Sequence, residues 1–287
     1  MPELPEVETV RLQLKRKIVG KTIAAVKVFN PKTVGSDEKI AKRLKGGVVA
    51  DIARIGKLLI FSFENKKDLF VLAHLKMTGQ FFYIDKKGAS IGGGHSQGKT
   101  EDSFPNRHTR VSLNFTDGTS LHFNDMRMFG YFKTATTEEV AAAKARFGPE
   151  PISSDFDPVW FYEKLKKRKT PIKAALLDQT FIAGLGNIYV DEALWAAKVA
   201  PTRRADLVTK KEAAAIAAAA GAIMNESITY GGTTFQNFKD TGGKNGNYLD
   251  YLKVFSKQGM PCPRCGTKII KIRCAGRGTH YCTKCQK

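Results

Sequence analysis

The sequence predicts an α+β protein of more than one domain. Short β-rich runs occupy residues 22–133 with no helical segments between them, which favours an antiparallel β-sandwich over a parallel sheet. Helical patterns dominate after Lys133, and two closely spaced cysteine pairs end the chain. We therefore expect an N-terminal helix and β-sandwich, a helical second part and a C-terminal metal-bound ribbon.

The chain begins with a predicted helix over residues 3–19. Its apolar positions recur at helical spacing, glutamates occupy its first turn and basic residues its last, which suits the helix dipole. Gly20 is expected to end it. Pro2 and Glu3 are thus placed at a helix N-terminus, where backbone amides and the dipole favour an approaching anion.

The β-rich part contains seven recognisable runs. They are Ile23–Phe29, Leu58–Phe63, Leu69–Leu72, Gln80–Ile84, Val111–Phe115, Ser120–Phe123 and Gly130–Lys133. Thr116-Asp117-Gly118 between two of them is typical of a hairpin turn. The glycine-rich stretch 86–104 is predicted to be a mobile excursion, and the sequence assigns it no function.

Helical patterns follow at 138–147, 158–167, 171–179, 188–197 and 209–228. Prolines and a glycine at 147–151 indicate an inter-domain joint. We predict a β-sandwich domain over 1–133, a linker over 134–150, a helical domain over 151–256 that includes a polar, glycine-rich loop at 230–247, and a metal-binding finger over 257–287.

The charge of the chain points to a polyanionic partner. Its 287 residues contain 47 Lys and Arg against 27 Asp and Glu, a formal net charge of +20, and both halves contribute. Nucleic acid is the leading candidate, although a ribosomal or membrane-surface protein could share this charge. The sequence has no long apolar stretch and no signal peptide, so we expect a cytoplasmic protein with no membrane partner.

All five cysteines lie at or after Cys262. Cys262 and Cys265 form one C-x2-C pair, and Cys282 and Cys285 form a second pair sixteen residues further on. Two such knuckles predict a tetrahedral four-thiolate zinc site. A closed site of this kind leaves no coordination position for water, so the one Zn²⁺ is expected to be structural, with Cys274 as a non-ligand and Arg277 at the tip of the intervening hairpin.

Pro2 carries the most specific chemical hypothesis. If Met1 is removed, its secondary amine becomes the N-terminus, and a free α-amino group has a pKa of about 7.7–8.0, so a usable fraction is neutral and nucleophilic near neutral pH. Many chains begin with Met-Pro for no catalytic reason. This hypothesis therefore depends on motifs elsewhere in the chain.

Four motifs in order supply that support: PELPEVETVR at the start, GLGNIYVDEALW from Gly184, GGTTFQNF from Gly231, and GRGTHYCTKCQ from Gly276. Together they make the chain resemble the formamidopyrimidine-DNA glycosylase family over nearly its whole length. The resemblance implies an N-terminal β-sandwich, a helix-two-turn-helix domain and a zinc finger that clamp damaged double-stranded DNA. It also implies a monomer without an obligate protein partner.

The resemblance implies a bifunctional base-excision repair enzyme that flips out and excises oxidised purines such as 8-oxoguanine and formamidopyrimidines, then cleaves the abasic site by β,δ-elimination. Two alternatives stay open. One is an endonuclease-VIII-type glycosylase for oxidised pyrimidines. The other is a non-catalytic zinc-ribbon protein that binds damaged DNA, which would explain the charge and the cysteines but not the N-terminus.

The resemblance also assigns roles to residues. Pro2 is expected to be the nucleophile that attacks C1′, Glu3 the acid or base that assists opening of the sugar ring, and Glu6 a further contact to the sugar. Glu6 is equally readable as an ordinary first-turn glutamate. Lys57 matches a family lysine that binds a phosphate beside the lesion. Its local sequence alone favours a different interpretation, an exposed lysine in a turn.

The remaining matches concern DNA binding. His74, Asn187 and Arg277 match phosphate ligands, although His74 alone would be interpreted as a structural histidine. A second set, Met77, Arg127 and Phe129, matches the residues that fill the void left by a flipped base. The family commonly has proline where this chain has Met126, which alters the stiffness of the turn. The loop at 230–247 corresponds to a lid over the extruded base, and Glu192 is expected to support the phosphate-binding turn or catalysis.

Overall fold

The computed structural model describes residues 1–87, 90–94, 104–233 and 248–287. The chain forms two compact units. The first unit contains Met1–Ala145 and, among the described residues, 230–233; the second contains Arg146–Thr229 and Tyr248–Lys287. The predicted domain boundaries at 133, 150 and 256 remain predictions.

The first unit is an antiparallel β-sandwich. Its helices are α1 (Leu4–Ile18), α2 (Ile40–Leu44) and α3 (Thr137–Ala145), and its strands are β1 (Ile23–Val28), β2 (Val49–Ile55), β3 (Leu58–Phe63), β4 (Phe70–His74), β5 (Gly79–Ile84), β6 (Ser90–Gly94), β7 (Thr109–Phe115), β8 (Ser120–Asp125) and β9 (Tyr131–Ala135). One sheet has the order β1-β7-β8-β5-β6 and the other β2-β3-β4-β9.

The core of the first unit lies between these sheets. Phe61 of one sheet and Phe81 of the other have ring centroids 5.9 Å apart, and both rings are buried. The apolar stripe of α1, including Val7, Val10 and Leu14, belongs to the same buried cluster. Packing of α1 on this core fixes the start of the chain, where the predicted chemistry lies.

Several local predictions are confirmed in this unit. Helix α1 ends at Ile18 and Gly20 has a positive φ of 79°. The β7–β8 connection is the predicted hairpin, with Gly118 at φ 84°. The stretch 86–104 differs from the prediction at residues 90–94, which pair with β5 as β6, while 88–89 and 95–103 lie outside the described residues.

The second unit combines a helical part with a β-hairpin. Its helices are α4 (Pro158–Leu165), α5 (Ile172–Leu177), α6 (Asn187–Ala196) and α7 (Lys210–Thr229), and its strands are β10 (Ile270–Cys274) and β11 (Arg277–Tyr281). Helix α7 packs closely at Gly221, because a Cβ at that position would lie 2.7 Å from the carbonyl oxygen of Pro151. Within the described residues, no helix has the length and apolar character needed to span a membrane.

Candidate functional site

Pro2 and Glu3 immediately precede helix α1, and both are buried beside an exposed Met1. Glu3 is the N-cap residue, and its backbone N–H donates to Oε2 of Glu6 at 2.8 Å. The carboxyl-bearing residues Glu3 and Glu6 are only 3% and 8% exposed. The structure therefore places the three predicted N-terminal residues in one partly enclosed cluster at the positive end of the helix dipole.

Glu6 also binds a distant segment of the first unit. Its Oε1 accepts hydrogen bonds from the backbone N–H and the hydroxyl of Thr233, at 2.8 and 2.9 Å. Gly232 allows this approach, because it has a φ of +91° and a Cβ there would lie 3.1 Å from Cγ of Glu6. Residues 230–233 begin the predicted lid, and the rest of that loop, 234–247, lies outside the described residues.

Lys57 lies in the tight turn between β2 and β3. It is only 5% exposed, so the expectation from local sequence of an exposed turn lysine is wrong. The reason is the neighbouring strand: Leu58 pairs with His74 across β3 and β4, which places the lysine against the end of β4. A buried ammonium group is costly unless anions or polar groups surround it, and the family resemblance is what marks Lys57 as a candidate phosphate ligand.

His74 ends β4, and its ring is arranged to donate a hydrogen bond from Nε2. Its Nδ1 accepts the backbone N–H of Lys76 at 3.0 Å, which requires the proton of a neutral ring to be on Nε2. Burial lowers the pKa of His74 to about 3, with further lowering by the charges of Lys76 and Lys57. The ring is therefore a neutral hydrogen-bond donor near pH 7.

Met77, Arg127 and Phe129 lie together on the surface of the first unit. The guanidinium carbon of Arg127 lies 4.8 Å from the ring centroid of Phe129, and its Nη1 lies 3.1 Å from Sδ of Met77. Met77 is 37% exposed and Phe129 is 55% exposed. Exposed large apolar groups around a cation are poorly placed to form a core and well placed to contact stacked bases.

The buried carboxylate of Asp125 holds the loop that carries two of these residues. It accepts hydrogen bonds from the backbone N–H of Arg127 at 3.2 Å and of Gly130 at 2.6 Å, and from the hydroxyl of Thr78. The Thr78 hydroxyl is also within 3.0 Å of the Arg127 N–H. These bonds stabilise the turn at which Met126 stands in place of the proline expected in the family.

Asn187 is the first residue of α6, and it follows a turn built for a helix start. Gly184 has a φ of +92°, and the side-chain amide of Gln179 accepts from Gly184 N at 3.0 Å and donates to Leu185 O at 2.8 Å. Nδ2 of Asn187 donates to Gly278 O in β11 at 3.0 Å. A primary amide has two N–H groups, so the second can serve another acceptor.

Arg277 is the first residue of β11 and pairs with Cys274, so the prediction that it lies at the hairpin tip is wrong by one position. The two tip residues are Ala275 and Gly276, both with positive φ, and a two-residue turn of this kind twists in the sense that the strands require. Arg277 is exposed at the end of the hairpin. Asn187 and Arg277 thus lie on adjoining elements of the second unit.

A buried ion pair ties these elements together. Nζ of Lys173 in α5 lies 2.6 Å from Oδ1 of Asp191 in α6, and both side chains are fully buried. Oδ2 of Asp191 accepts the backbone N–H of His280 in β11 at 2.8 Å. The hairpin therefore docks on the two helices through charge-assisted hydrogen bonds.

The four predicted zinc ligands form one cluster, in which the Sγ atoms of Cys262, Cys265, Cys282 and Cys285 all lie within 4.8 Å of one another. Four sulfurs that each lie about 2.3 Å from one tetrahedral Zn²⁺ must be this close to one another, so the residues fit one structural Zn²⁺. Cys274 is outside this cluster, as predicted, and its thiol lies 3.6 Å from Pro201 O.

The first zinc knuckle packs against the C-terminal end of α6. The indole Nε1 of Trp195 lies 3.4 Å from Sγ of Cys262, and the Arg264 guanidinium carbon lies 4.1 Å from the Trp195 ring centroid. Arg264 also donates to Trp195 O at 3.0 Å. Hydrogen bonds of this kind to a metal-binding thiolate orient the ligand, and the arginine caps carbonyl groups at the helix end.

Comparisons with known proteins agree along the whole chain. Residues 1–132 match the formamidopyrimidine-DNA glycosylase N-terminal domain, 147–239 match the H2TH domain of the same glycosylases, and 259–287 match a zinc finger found in FPG and IleRS. The chain belongs to the formamidopyrimidine-DNA glycosylase family. The resemblance on which the sequence analysis relied is thereby confirmed.

Relatives of this glycosylase family are similar over full length. The formamidopyrimidine-DNA glycosylases of Streptococcus pneumoniae and Lactobacillus delbrueckii subsp. bulgaricus are 38% and 40% identical, with 100% of this chain and 99% and 100% of the relatives covered. Lactococcus lactis Fpg in complex with abasic-site DNA is 35% identical, has a TM-score of 0.88, and each chain covers 99% of the other. A mutant of that enzyme in complex with DNA that contains Fapy-dG gives the same identity and TM-score, with full coverage of both chains.

Glu192, expected to support the phosphate-binding turn or catalysis, lies in α6 and binds the segment that precedes the zinc finger. Its carboxylate accepts the backbone N–H groups of Lys253, Val254 and Phe255 at 2.8 to 2.9 Å. Burial raises its pKa, and the three amides oppose that effect. This carboxylate therefore anchors the segment that leads into the zinc finger.

Sequence reasoning missed residues that position others: Thr78, Asp125, Lys173, Asp191 and Thr233. Most of their partners are distant in the chain, such as Asp125 for Thr78 and Glu6 for Thr233, so the local sequence does not show what they bind. One usable signal existed, since Lys173 is a charged residue inside the otherwise apolar helix Ile172–Leu177.

Proposed function

We propose that the protein is a base-excision repair enzyme that excises oxidised purines from double-stranded DNA and then cleaves the abasic site. The position of Pro2 carries this proposal: it directly precedes α1, beside the buried Glu3, at the place where a processed chain would present a secondary amine. Family membership and solved relatives bound to abasic-site and Fapy-dG DNA support the substrate class. The net charge of +20 suits a polyanion.

The proposed chemistry begins at the Pro2 nitrogen once Met1 has been removed. Its lone pair forms a bond to C1′ of the damaged nucleotide as the bond from C1′ to the base breaks; the base leaves with the bonding electrons and is protonated, and the nitrogen gives up its N–H proton. Opening of the sugar ring, assisted by a proton at Glu3, gives an iminium. This cation withdraws electrons, so a proton is lost from C2′, the 3′ phosphate leaves, and a second elimination releases the 5′ phosphate.

Four side chains are proposed to bind the DNA backbone around the lesion. The first unit supplies Lys57 as a cation and His74 as a neutral Nε2–H donor. The second unit supplies Asn187 and Arg277. Phosphate contacts of these types fix the register of the duplex without reading its sequence.

Met77, Arg127 and Phe129 are proposed to fill the gap left by the flipped base. Their mutual contacts and exposure leave an apolar wedge flanking a guanidinium that can bond to the orphaned partner base. Glu6 is proposed to act at the N-terminus beside Glu3. We further propose that the protein works as a monomer in the cytoplasm.

Borohydride trapping tests the enzyme proposal. Intact protein is incubated with duplex DNA that contains 8-oxoguanine opposite cytosine, and the iminium is reduced to a stable adduct. A covalent complex is expected from the wild-type chain and less of it from Pro2→Gly, whose N-terminal primary amine can still form an imine but lacks the secondary amine of proline. No adduct from the wild type, or equal trapping by Pro2→Gly, would contradict the Pro2 mechanism, and an intact mass spectrum establishes whether Met1 is absent.

The same assay with thymine glycol tests the substrate class. We expect faster excision of 8-oxoguanine and formamidopyrimidine than of thymine glycol. The reverse order would favour the endonuclease-VIII-type alternative.

A further inference from the structure

One carboxylate in the first unit links two segments that are far apart in the chain. Oε2 of Glu6 accepts the backbone N–H of Glu3 at 2.8 Å, and Oε1 accepts both the N–H and the hydroxyl of Thr233. Glu6 and Thr233 are separated by 227 positions. The bond to Glu3 acts on the residue next to Pro2, so the orientation of the N-terminus depends on where this carboxylate is held.

The arrangement leaves the Glu6 side chain little freedom. Glu3 is 3% exposed, Glu6 8% and Thr233 3%. The neighbouring Gly232 is in the left-handed region, and even a single Cβ there would lie 3.1 Å from both Cγ and Oε1 of Glu6. A glutamate has three side-chain torsions, so fixing both oxygens selects one conformation among many.

We propose that Thr233 is a positioning residue for the nucleophile: acting through Glu6, it fixes the backbone of Glu3 and hence the direction of the Pro2 nitrogen. This inference rests on the proposed role of Pro2 as nucleophile. Attack on C1′ needs the lone pair aimed at the carbon, and small misplacements of reacting groups are costly in rate. DNA binding does not need this positioning by Thr233, since the proposed phosphate ligands are other residues.

Thr233→Val is the direct variant, because it keeps the shape and the backbone N–H but removes the hydroxyl donor. Thr233→Ser restores the hydroxyl and serves as the rescue. Thr9→Val is the matched control: it removes another buried hydroxyl, one that donates to Pro5 O at 2.9 Å within α1. Gly232→Ala keeps all the hydrogen-bonding groups but crowds Glu6 and strains the backbone, because Gly232 has a φ of +91°.

The readouts are the single-turnover rate of borohydride trapping on abasic-site duplex DNA and the Kd for the same duplex without borohydride. We expect Thr233→Val and Gly232→Ala to slow trapping about tenfold with Kd unchanged, and Thr233→Ser and Thr9→Val to remain close to wild type. Wild-type trapping by Thr233→Val, an equal loss in Thr9→Val, or a loss confined to Kd overturns the inference. If the wild-type chain itself forms no adduct, the proposed function fails and this inference fails with it.

Discussion

The carboxylate of Asp125 accepts the backbone N–H of Gly130 at 2.6 Å, which closes the loop that presents Arg127 and Phe129. Asp125→Asn should loosen this loop, because an amide replaces one acceptor oxygen by a donor that faces backbone N–H groups. An unsatisfied buried group costs about 1–3 kcal/mol. We expect a lower free energy of unfolding in urea and slower base flipping, measured by 2-aminopurine fluorescence beside the lesion.

Asp157→Asn is the control for that variant. Asp157 caps α4 through a bond to Val159 N at 2.8 Å, and asparagine caps helices as well as aspartate does. Base flipping at the wild-type rate in Asp125→Asn would show that the loop does not depend on this carboxylate.

His74 should bind phosphate as a neutral donor. Because its pKa is about 3, the affinity lost in His74→Ala should be the same at pH 8 and pH 5.5, measured by fluorescence anisotropy with duplex DNA. A penalty that grows as the pH falls would mean that the imidazolium binds instead.

The lowered pKa of His74 also affects stability. The unfolded chain takes up a proton near the ordinary value of 6.5, whereas the folded chain does not until about pH 3. The stabilisation from this group is therefore present above pH 6.5 and is lost as the pH falls from 6.5 towards 3. His74→Gln should unfold with a shallower pH dependence in that window, and an identical pH dependence in both proteins would contradict the neutral, buried ring.

Breaking the Lys173–Asp191 pair should destabilise the second unit strongly. Lys173→Met leaves Asp191 charged and buried, which costs about 3–5 kcal/mol in comparable cases. Urea denaturation measures this loss. The pair of Arg204 and Asp206, also 2.6 Å apart, is the control: Arg204 is exposed and Asp206 partly exposed, so Arg204→Met should change stability little. Similar effects from the two substitutions would contradict the structural role of the buried pair.

Zinc removal should alter the fluorescence of Trp195. Its indole N–H lies 3.4 Å from the Cys262 sulfur, so chelation changes the contact directly. The sequence has two tryptophans, and Trp195→Phe should abolish the zinc-dependent change while Trp160 continues to emit. Affinity for duplex DNA should fall in parallel, because Arg277 lies on the hairpin between the two cysteine pairs. Unchanged emission after complete chelation would contradict the contact.

The elements that sequence predicted well are those whose residues repeat locally. The stripe of Val7, Val10 and Leu14 identified α1, and cysteine spacing identified the zinc ligands. Strand β2 was missed because Asp51 and Arg54 interrupt its apolar pattern. Both are partnered by α1, through Lys15 at 2.7 Å and Glu8 at 2.7 Å, and such tertiary pairing leaves no local trace.

The candidate site likewise has features that sequence motifs predict and features that depend on tertiary contacts. Motif resemblance supplied the residues proposed to touch DNA, while the burial of Lys57 and the tautomer of His74 depend on tertiary contacts that only the folded structure shows. The pairing of Glu6 with Thr233 is the least predictable from sequence, since it joins residues 227 positions apart.

Helix α6 carries Asn187 at its first turn and the Trp195 contact to the zinc knuckle at its last. Because successive helical residues are rotated by about 100°, inserting one residue between these two positions would turn one anchor away from its partner. We therefore expect insertions and deletions inside this helix to be disruptive, even at positions where the side chain can be substituted. The helix thus fixes the spacing between the zinc knuckle and Asn187, the proposed phosphate ligand.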